Sequence, residues 1–325
     1  MFLDWVIVVR SYYDPAASLL MANRVGGFRT PEHAARYYER YDEMLARAWP
    51  VPHDELDVPS RFGTTHVRRS GPSLGTPLVL IHPTTGSSAG WAPLIASLCE
   101  LHQVYMPDTI GTAGRSVQTA PIRSPRDLAL WLDDVLDALD LDEIHLVGYS
   151  EGGWIAALTA ALSDRPERLT TLTLIEPGGA IERVPRRFIA SMIIRGARAL
   201  LARDKPQAIR DFNHWMNGDV ELTDEQIELL LLAMRTFRQK LPMPRRLSDE
   251  ELGRITVPTL LLLAADTRLY DPEAVAERAR RLLPDVTIEI VPDAGHGVVF
   301  QYPDRIIARL LQFIDHDRAT GPRPK

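Results

Sequence analysis

The 325-residue sequence contains a single cysteine, Cys99. One thiol cannot form an intrachain disulfide, and it cannot supply the thiolate pairs of a cysteine-rich zinc site. Because such a chain gains nothing from an oxidising environment, we predict a cytoplasmic protein. Cys99 lies in the apolar run 91–101, which indicates a buried helix thiol and not a nucleophile.

Long hydrophobic runs are also missing. The first nine residues, 1–9, are mostly apolar, but Asp4 interrupts them, no basic residue precedes them, and the stretch is too short to span a bilayer. We therefore expect no stable membrane insertion.

Neither sign of charge dominates the chain. The 37 basic and 43 acidic residues are scattered and give a formal net charge of -6, which argues against nucleic acid as a partner. The sequence has no cluster with metal-ligand spacing and no phosphate-binding glycine loop, so we predict no metal and no cofactor. Apolar residues make up 45% of the chain, enough for the core of one large α/β domain with an insertion.

What the sequence does contain is a strand, a sharp turn and a helix at 144–162. Apolar residues predict a buried strand at 144–147, and the alanine-rich run 154–162 predicts a helix. Between them, glycines stand two residues either side of Ser150, where they leave room for strand and helix to approach while the serine occupies a strained turn. The pentapeptide alone is a weak signal. Flanked by this strand and helix, it predicts that Ser150 is a nucleophile.

Strands and helices alternate around this turn. Apolar runs predict strands at 78–81, 103–106, 169–175, 257–264 and 286–291, with helical patterns between most of them. This alternation is typical of a mostly parallel sheet covered by helices. Between 180 and 254, three helical patterns follow one another without a strand.

Four motifs in this order resemble the α/β-hydrolase fold superfamily, and within it the carboxylesterase-like serine esterases that carry a helical lid. They are the loop that starts with His82 and Pro83, the loop 108–116, the turn at Ser150 and the glycine-flanked segment 293–297.

The resemblance covers residues 60–316 and implies three parts. The hydrolase core is expected at 61–177 and 255–325, and the helical lid at 178–254. Residues 1–60 are expected to be an amino-terminal extension, with a helix over 32–49 and an extended linker over 50–59.

The resemblance also implies a Ser-His-Asp triad in which His296 is the base. The acid departs from the family pattern, because Thr267 and Arg268 stand where relatives commonly have aspartate. We favour Asp271, although an aspartate before a proline often caps a helix. The two alternatives are Asp266 in the same loop and Glu176, which ends the strand after the nucleophile helix.

For the oxyanion hole, the resemblance implies the backbone N–H groups of Glu151 and Thr84. Pro83 stands where relatives have glycine, and it has no N–H to donate. The candidate residues of the substrate pocket are His82, Tyr149, Met192, Phe212 and Trp215. Packing within the lid is the simpler interpretation of its aromatic and methionine residues.

These residues predict hydrolysis of a carboxylic ester, thioester or lactone of a small apolar substrate through an acyl-serine intermediate. Two alternatives stay open: the same triad used for carbon–carbon hydrolysis, cyclisation, lactonisation or cofactor-free peroxidation, and a ligand-binding protein without activity. A third is a membrane-surface role for residues 1–9 and the lid arginines, for which a solvated basic face is the simpler interpretation. The sequence leaves the oligomeric state open.

Overall fold

A nine-stranded sheet forms the centre of the computed structural model, which describes residues 24–84 and 86–320. Its strands are β2 (His53–Ser60), β3 (Gly63–Ser70), β4 (Leu78–Ile81), β5 (Val104–Pro107), β6 (Val117–Gln118), β7 (Ile144–Tyr149), β8 (Leu169–Ile175), β10 (Thr259–Ala264) and β11 (Val286–Val291). They run in the order β11-β10-β8-β7-β4-β5-β3-β2, with β6 paired to β3. A separate two-stranded ribbon consists of β1 (Gly27–Phe28) and β9 (Phe237–Arg238).

Helices cover both faces of the sheet. They are α1 (Pro31–Ala48), α2 (Ala92–Leu98), α3 (Pro125–Ala138), α4 (Glu151–Leu162), α5 (Arg186–Leu201), α6 (Lys205–Asn217), α7 (Asp224–Thr236), α8 (Asp249–Gly253), α9 (Pro272–Leu282), α10 (Val298–Gln301) and α11 (Pro303–Thr320). In the described ranges, no helix combines the length and the apolar character needed to cross a membrane. Residues 1–9 lie outside the described ranges.

The parallel part of the sheet comprises six of its nine strands, β4, β5, β7, β8, β10 and β11. Every residue of β4, β7 and β10 is buried, because helices pack on both faces and a strand in such a sheet has no solvent-facing side. Two large apolar clusters fill the space between the sheet and the helices. The predicted α/β class, a mostly parallel central sheet flanked by helices, is therefore confirmed.

The predicted linker at 50–59 is wrong. Residues His53–Ser60 form the edge strand β2, which pairs antiparallel with β3 along its whole length. An edge strand has one unpaired side, so it accommodates Pro59, which lacks an N–H. The acidic residues that indicated a linker, Asp54 and Asp57, lie exposed on this edge, where charge opposes pairing with another sheet.

The amino-terminal segment contacts the helical insertion at 178–254, which lies between β8 and β10. Strand β1 pairs with β9 of the insertion, and Phe28 meets Phe237 edge to face with ring centroids 4.9 Å apart. Helix α1 also packs against α7 through an apolar cluster that includes Tyr37 and Tyr41. Residues 24–48 are thus attached to the insertion as well as to the sheet.

Candidate active site

Ser150 occupies the sharp turn between β7 and α4. Its backbone has φ 56° and ψ -117°, a conformation that non-glycine residues rarely adopt. A Cβ at Gly152 would lie 2.1 Å from the carbonyl oxygen of Ile81, and one at Gly148 would lie 2.2 Å from that of Gly152. Only glycine fits at these two positions, so the expected physical basis of the Gly-x-Ser-x-Gly spacing is present.

His296 connects this serine to a carboxylate. Its Nε2 lies 2.9 Å from Ser150 Oγ, and its Nδ1 lies 2.9 Å from Glu176 Oε2. The hydrogen bond to the carboxylate requires a proton on Nδ1, which leaves Nε2 free to accept the serine proton. The histidine is 7% exposed, so the site is largely screened from solvent.

Glu176 is completely buried and accepts four hydrogen bonds. The Ala264 N–H at 2.8 Å and the Tyr270 hydroxyl at 3.1 Å donate to Oε1. The Thr267 hydroxyl at 2.7 Å and His296 at 2.9 Å contact Oε2. Burial, and next the neighbouring Glu176 charge, raise the pKa of Tyr270 well above its ordinary value, so its hydroxyl remains a donor.

The prediction that Asp271 contacts the histidine is wrong. Asp271 Oδ1 accepts the N–H of Glu273 at 3.1 Å and that of Ala274 at 3.5 Å, which makes it the cap of α9. Asp266 is exposed. The carboxylate on His296 belongs to Glu176, one of the two alternatives to Asp271.

The sequence feature that could have identified Glu176 as the acid is its position directly after β8. Strand β8 lies between β7, which ends at the nucleophile turn, and β10. The carboxyl ends of parallel strands share one edge of the sheet, so a residue there can reach both neighbouring loops.

Comparison with known proteins decides the family. The family profile described as alpha/beta hydrolase family matches residues 78–309. The chain belongs to the alpha/beta hydrolase family. A carboxylesterase of Bacillus subtilis (strain 168), YbfK, is 31% identical over 296 residues, covering 88% of this chain and 96% of YbfK.

Solved structures agree with this assignment. The crystal structure of the naproxen esterase from Bacillus subtilis matches with a TM-score of 0.79 at 29% identity, over 88% of this chain and 99% of that one. The structure of carboxylesterase CesB (YbfK) from Bacillus subtilis gives 0.77 at 29% identity, over 87% and 98%. The chain is therefore a hydrolase similar to carboxylesterases, as its motifs predict.

Tyr149 supports the histidine loop of this α/β hydrolase. Its hydroxyl donates to the backbone carbonyl oxygen of His296 at 2.7 Å, and the two rings lie 5.6 Å apart. Burial, with a smaller contribution from the charge of Glu176, raises the pKa of Tyr149 far above its ordinary value, so the phenol stays protonated. Sequence reasoning placed Tyr149 in the pocket and missed this contact.

His82 joins two loops at the same edge of the sheet. Its Nε2 accepts the Thr109 N–H at 2.9 Å, and its Nδ1, 2.9 Å from the Pro83 carbonyl oxygen, donates to it. Burial lowers the pKa of His82, which keeps the ring neutral, as this pattern requires. With both nitrogens engaged and 2% exposure, His82 braces the loops, and its place in the substrate pocket stays a prediction.

Asp108 forms hydrogen bonds with the same two loops, the one after β4 and the one after β5. Its carboxylate accepts the N–H of Ser88 at 2.8 Å and that of Arg115 at 2.8 Å. Burial alone would raise the pKa of Asp108, but neighbouring His82 and these N–H donors outweigh it, so the pKa lies below its ordinary value. Asp108 therefore remains a carboxylate that fixes the loop after β4.

Glu151 is the first residue of α4, so its backbone N–H has no carbonyl partner within the helix. Its side chain is buried, and this burial raises its pKa, while a hydrogen bond with Thr84 acts in the opposite direction. The two residues predicted to donate to the oxyanion thus contact each other through their side chains. Their backbone roles stay a prediction.

The predicted pocket residues of the insertion pack against other apolar side chains. Trp215 stacks on Phe188 with centroids 5.3 Å apart and lies 5.8 Å from Phe212. Met192 packs against the larger apolar cluster. These contacts agree with the simpler interpretation, and a pocket role for Met192, Phe212 and Trp215 stays a prediction.

Cys99 caps the end of α2 and is half-buried. Burial raises the pKa of its thiol to about 11, so it stays protonated at neutral pH. Within residues 24–84 and 86–320, no three His, Cys, Asp or Glu side chains are grouped so that they could hold a metal ion.

Proposed function

We propose that this α/β hydrolase cleaves carboxylic esters, thioesters or lactones of small apolar substrates through an acyl-serine intermediate. Ser150 is the nucleophile, His296 the general base and Glu176 the acid of the triad. The supporting observation is the chain of two 2.9 Å hydrogen bonds that runs from Ser150 through His296 to Glu176. Relatives named carboxylesterases, which match nearly the whole chain, favour the ester as substrate class.

In the acylation step, Ser150 Oγ attacks the substrate carbonyl carbon while its proton passes to His296 Nε2. The imidazolium that forms lies against the buried Glu176 carboxylate, which stabilises its positive charge. The C–O or C–S bond of the substrate then breaks, and Nε2 returns the proton to the leaving oxygen or sulfur.

In the deacylation step, His296 Nε2 takes a proton from water as the water attacks the acyl carbon. The bond between Ser150 Oγ and the acyl group breaks, Oγ regains the proton, and the free acid leaves. The oxyanion of both steps is held by the backbone N–H groups of Glu151 and Thr84. Removing one such donor typically lowers turnover by about 10²–10³.

The helical insertion at 178–254 is the lid of this proposed enzyme. It begins just after Glu176, at the carboxyl end of β8, so its start lies beside the triad, and it ends before β10. Met192, Phe212 and Trp215 are side chains of this lid and are the candidates for selecting the acyl group.

A fluorophosphonate probe with mass spectrometry tests the proposal. We expect one covalent adduct on Ser150, together with turnover of short-chain nitrophenyl esters, and neither in the S150A variant. If the folded wild-type protein takes up no label and hydrolyses none of a series of esters, thioesters and lactones, the proposal is refuted in favour of a ligand-binding protein.

A further inference from the structure

Helix α5 and the residues just after it carry positive charge that the rest of the described chain does not neutralise. The segment 186–203 contains five arginines and no acidic residue. All five are exposed, and within the described residues none has a carboxylate at ion-pair distance. They are Arg186, Arg187, Arg195, Arg198 and Arg203.

Four other arginines of the insertion are paired with carboxylates, namely Arg210, Arg245, Arg246 and Arg254. Arg210 contacts Asp224, and Arg246 lies 3.4 Å from Glu182. Arg195 of α5 lies instead over the ring of Trp215 at 4.8 Å. Among the described residues, 186–203 is therefore a run of five arginines without an ion pair or an intervening acidic residue, in a chain whose formal net charge is -6.

One face of α5 exposes large apolar side chains next to arginines. Arg187, Ala190, Ile194, Arg198 and Leu201 follow one another at helical spacing and lie on one side, which we call the α5 face. Ile194 is 52% exposed and Leu201 75% exposed, whereas on the opposite side Phe188 and Ile189 are buried in the core.

We propose that the α5 face docks on an anionic lipid surface. Arg187 and Arg198 would contact the lipid phosphates, and Ile194 and Leu201 would enter the boundary between headgroups and acyl chains. A nucleic acid would explain the arginines but not the two apolar side chains between them. The docking is peripheral, and it does not depend on the esterase chemistry proposed above.

Vesicle sedimentation tests this with the full chain. We expect the protein to sediment with vesicles of phosphatidylcholine and phosphatidylglycerol, to stay in solution with phosphatidylcholine alone, and to be released as salt screens the charges. Because one arginine near an anionic leaflet changes binding by roughly fivefold, R187Q/R198Q is expected to weaken the affinity by roughly 25-fold. I194Q/L201Q is expected to weaken it without changing its dependence on salt.

The matched control is R280Q/R281Q, which removes the same charge from exposed positions on α9. It should bind as the wild type does, and circular dichroism should show all variants folded. No sedimentation with anionic vesicles at low salt refutes the proposal. An equal loss of affinity in R280Q/R281Q also refutes it. So does binding to soluble heparin that is as strong as binding to vesicles and is unchanged in I194Q/L201Q. Either result indicates non-specific attraction of polyanions.

Discussion

Glu176 combines a left-handed backbone with a completely buried carboxylate. Its φ is 46°, in the region where a non-glycine residue costs roughly 1–3 kcal/mol. The four hydrogen bonds to its carboxylate, and the one from its N–H to the Leu262 carbonyl oxygen at 2.8 Å, offset that strain. The side chain is thereby held in a single position beneath His296.

The hydrogen bond from Tyr149 to the histidine loop can be tested with a single substitution. Y149F retains the ring but loses the 2.7 Å hydrogen bond to the His296 carbonyl oxygen. We expect kcat to fall about tenfold with little change in KM, because the base is less firmly positioned while substrate contacts stay. Y105F is the matched control, since the Tyr105 hydroxyl donates to Gln103 at 2.8 Å on β5. An unchanged kcat in Y149F would show that this contact has no part in positioning the histidine.

The neutral state of His82 predicts a pH dependence of stability. Burial lowers the pKa of His82 in the folded protein, so below about pH 6.5 the unfolded chain binds a proton that the folded one does not. Its contribution to stability is present above that pH and is lost as the pH falls toward the folded pKa.

Thermal unfolding between about pH 8 and pH 5 measures this effect. The wild-type Tm should fall more steeply below about pH 6.5 than that of H82N, whereas H214N, at an exposed histidine, should follow the wild type. Parallel curves for the wild type and H82N would contradict the assignment.

At the scale of elements, α1 connects the insertion to the loops beside the triad. The Tyr41 hydroxyl lies 3.1 Å from Ser88 Oγ, and the Tyr37 hydroxyl donates to the Ala113 carbonyl oxygen at 3.1 Å. The buried Arg68 donates to Ser88 Oγ at 2.6 Å, and the Ser88 N–H contacts Asp108. The loop after β4, which carries Thr84, is thus fixed from α1 and from β3.

Two tyrosine variants distinguish this positioning from general stability. Y41F and Y37F each remove one buried hydroxyl from the same helix, and each is expected to lower the free energy of unfolding by about 1–2 kcal/mol. Only Y41F is expected to lower kcat, by several-fold, because only Tyr41 contacts the loop of the proposed oxyanion donor. Equal kcat values for the two variants would assign α1 a purely structural role.

Most elements could be predicted from local pattern. Strand β4 has the predicted bounds, and α1 begins and ends within one residue of the predicted helix. The edge strand β2 was missed because three prolines and several acids in 50–59 imitate a linker. The ribbon of β1 and β9 has two residues in each strand, too few to give a periodic signal.

At the scale of the whole molecule, the sheet assembles the site from distant segments. Ser150 and His296 are 146 residues apart in the chain, and Glu176 and His296 are 120 apart. The serine and the histidine could be predicted because each lies in a short glycine-flanked motif. The acid could not be predicted in this way. Its identity depends on the position of β8 between β7 and β10, and on the fact that the Asp271 carboxylate caps a helix.

The most direct test of the account compares kcat on a nitrophenyl ester for two matched amide variants, E176Q and D271N. We predict that E176Q lowers kcat by roughly 10³–10⁴, because a neutral amide cannot stabilise the imidazolium. D271N should keep both kcat and stability, since asparagine caps a helix as well as aspartate does. Wild-type turnover in E176Q together with a large loss in a folded D271N would contradict the assignment of Glu176 as the acid of the triad.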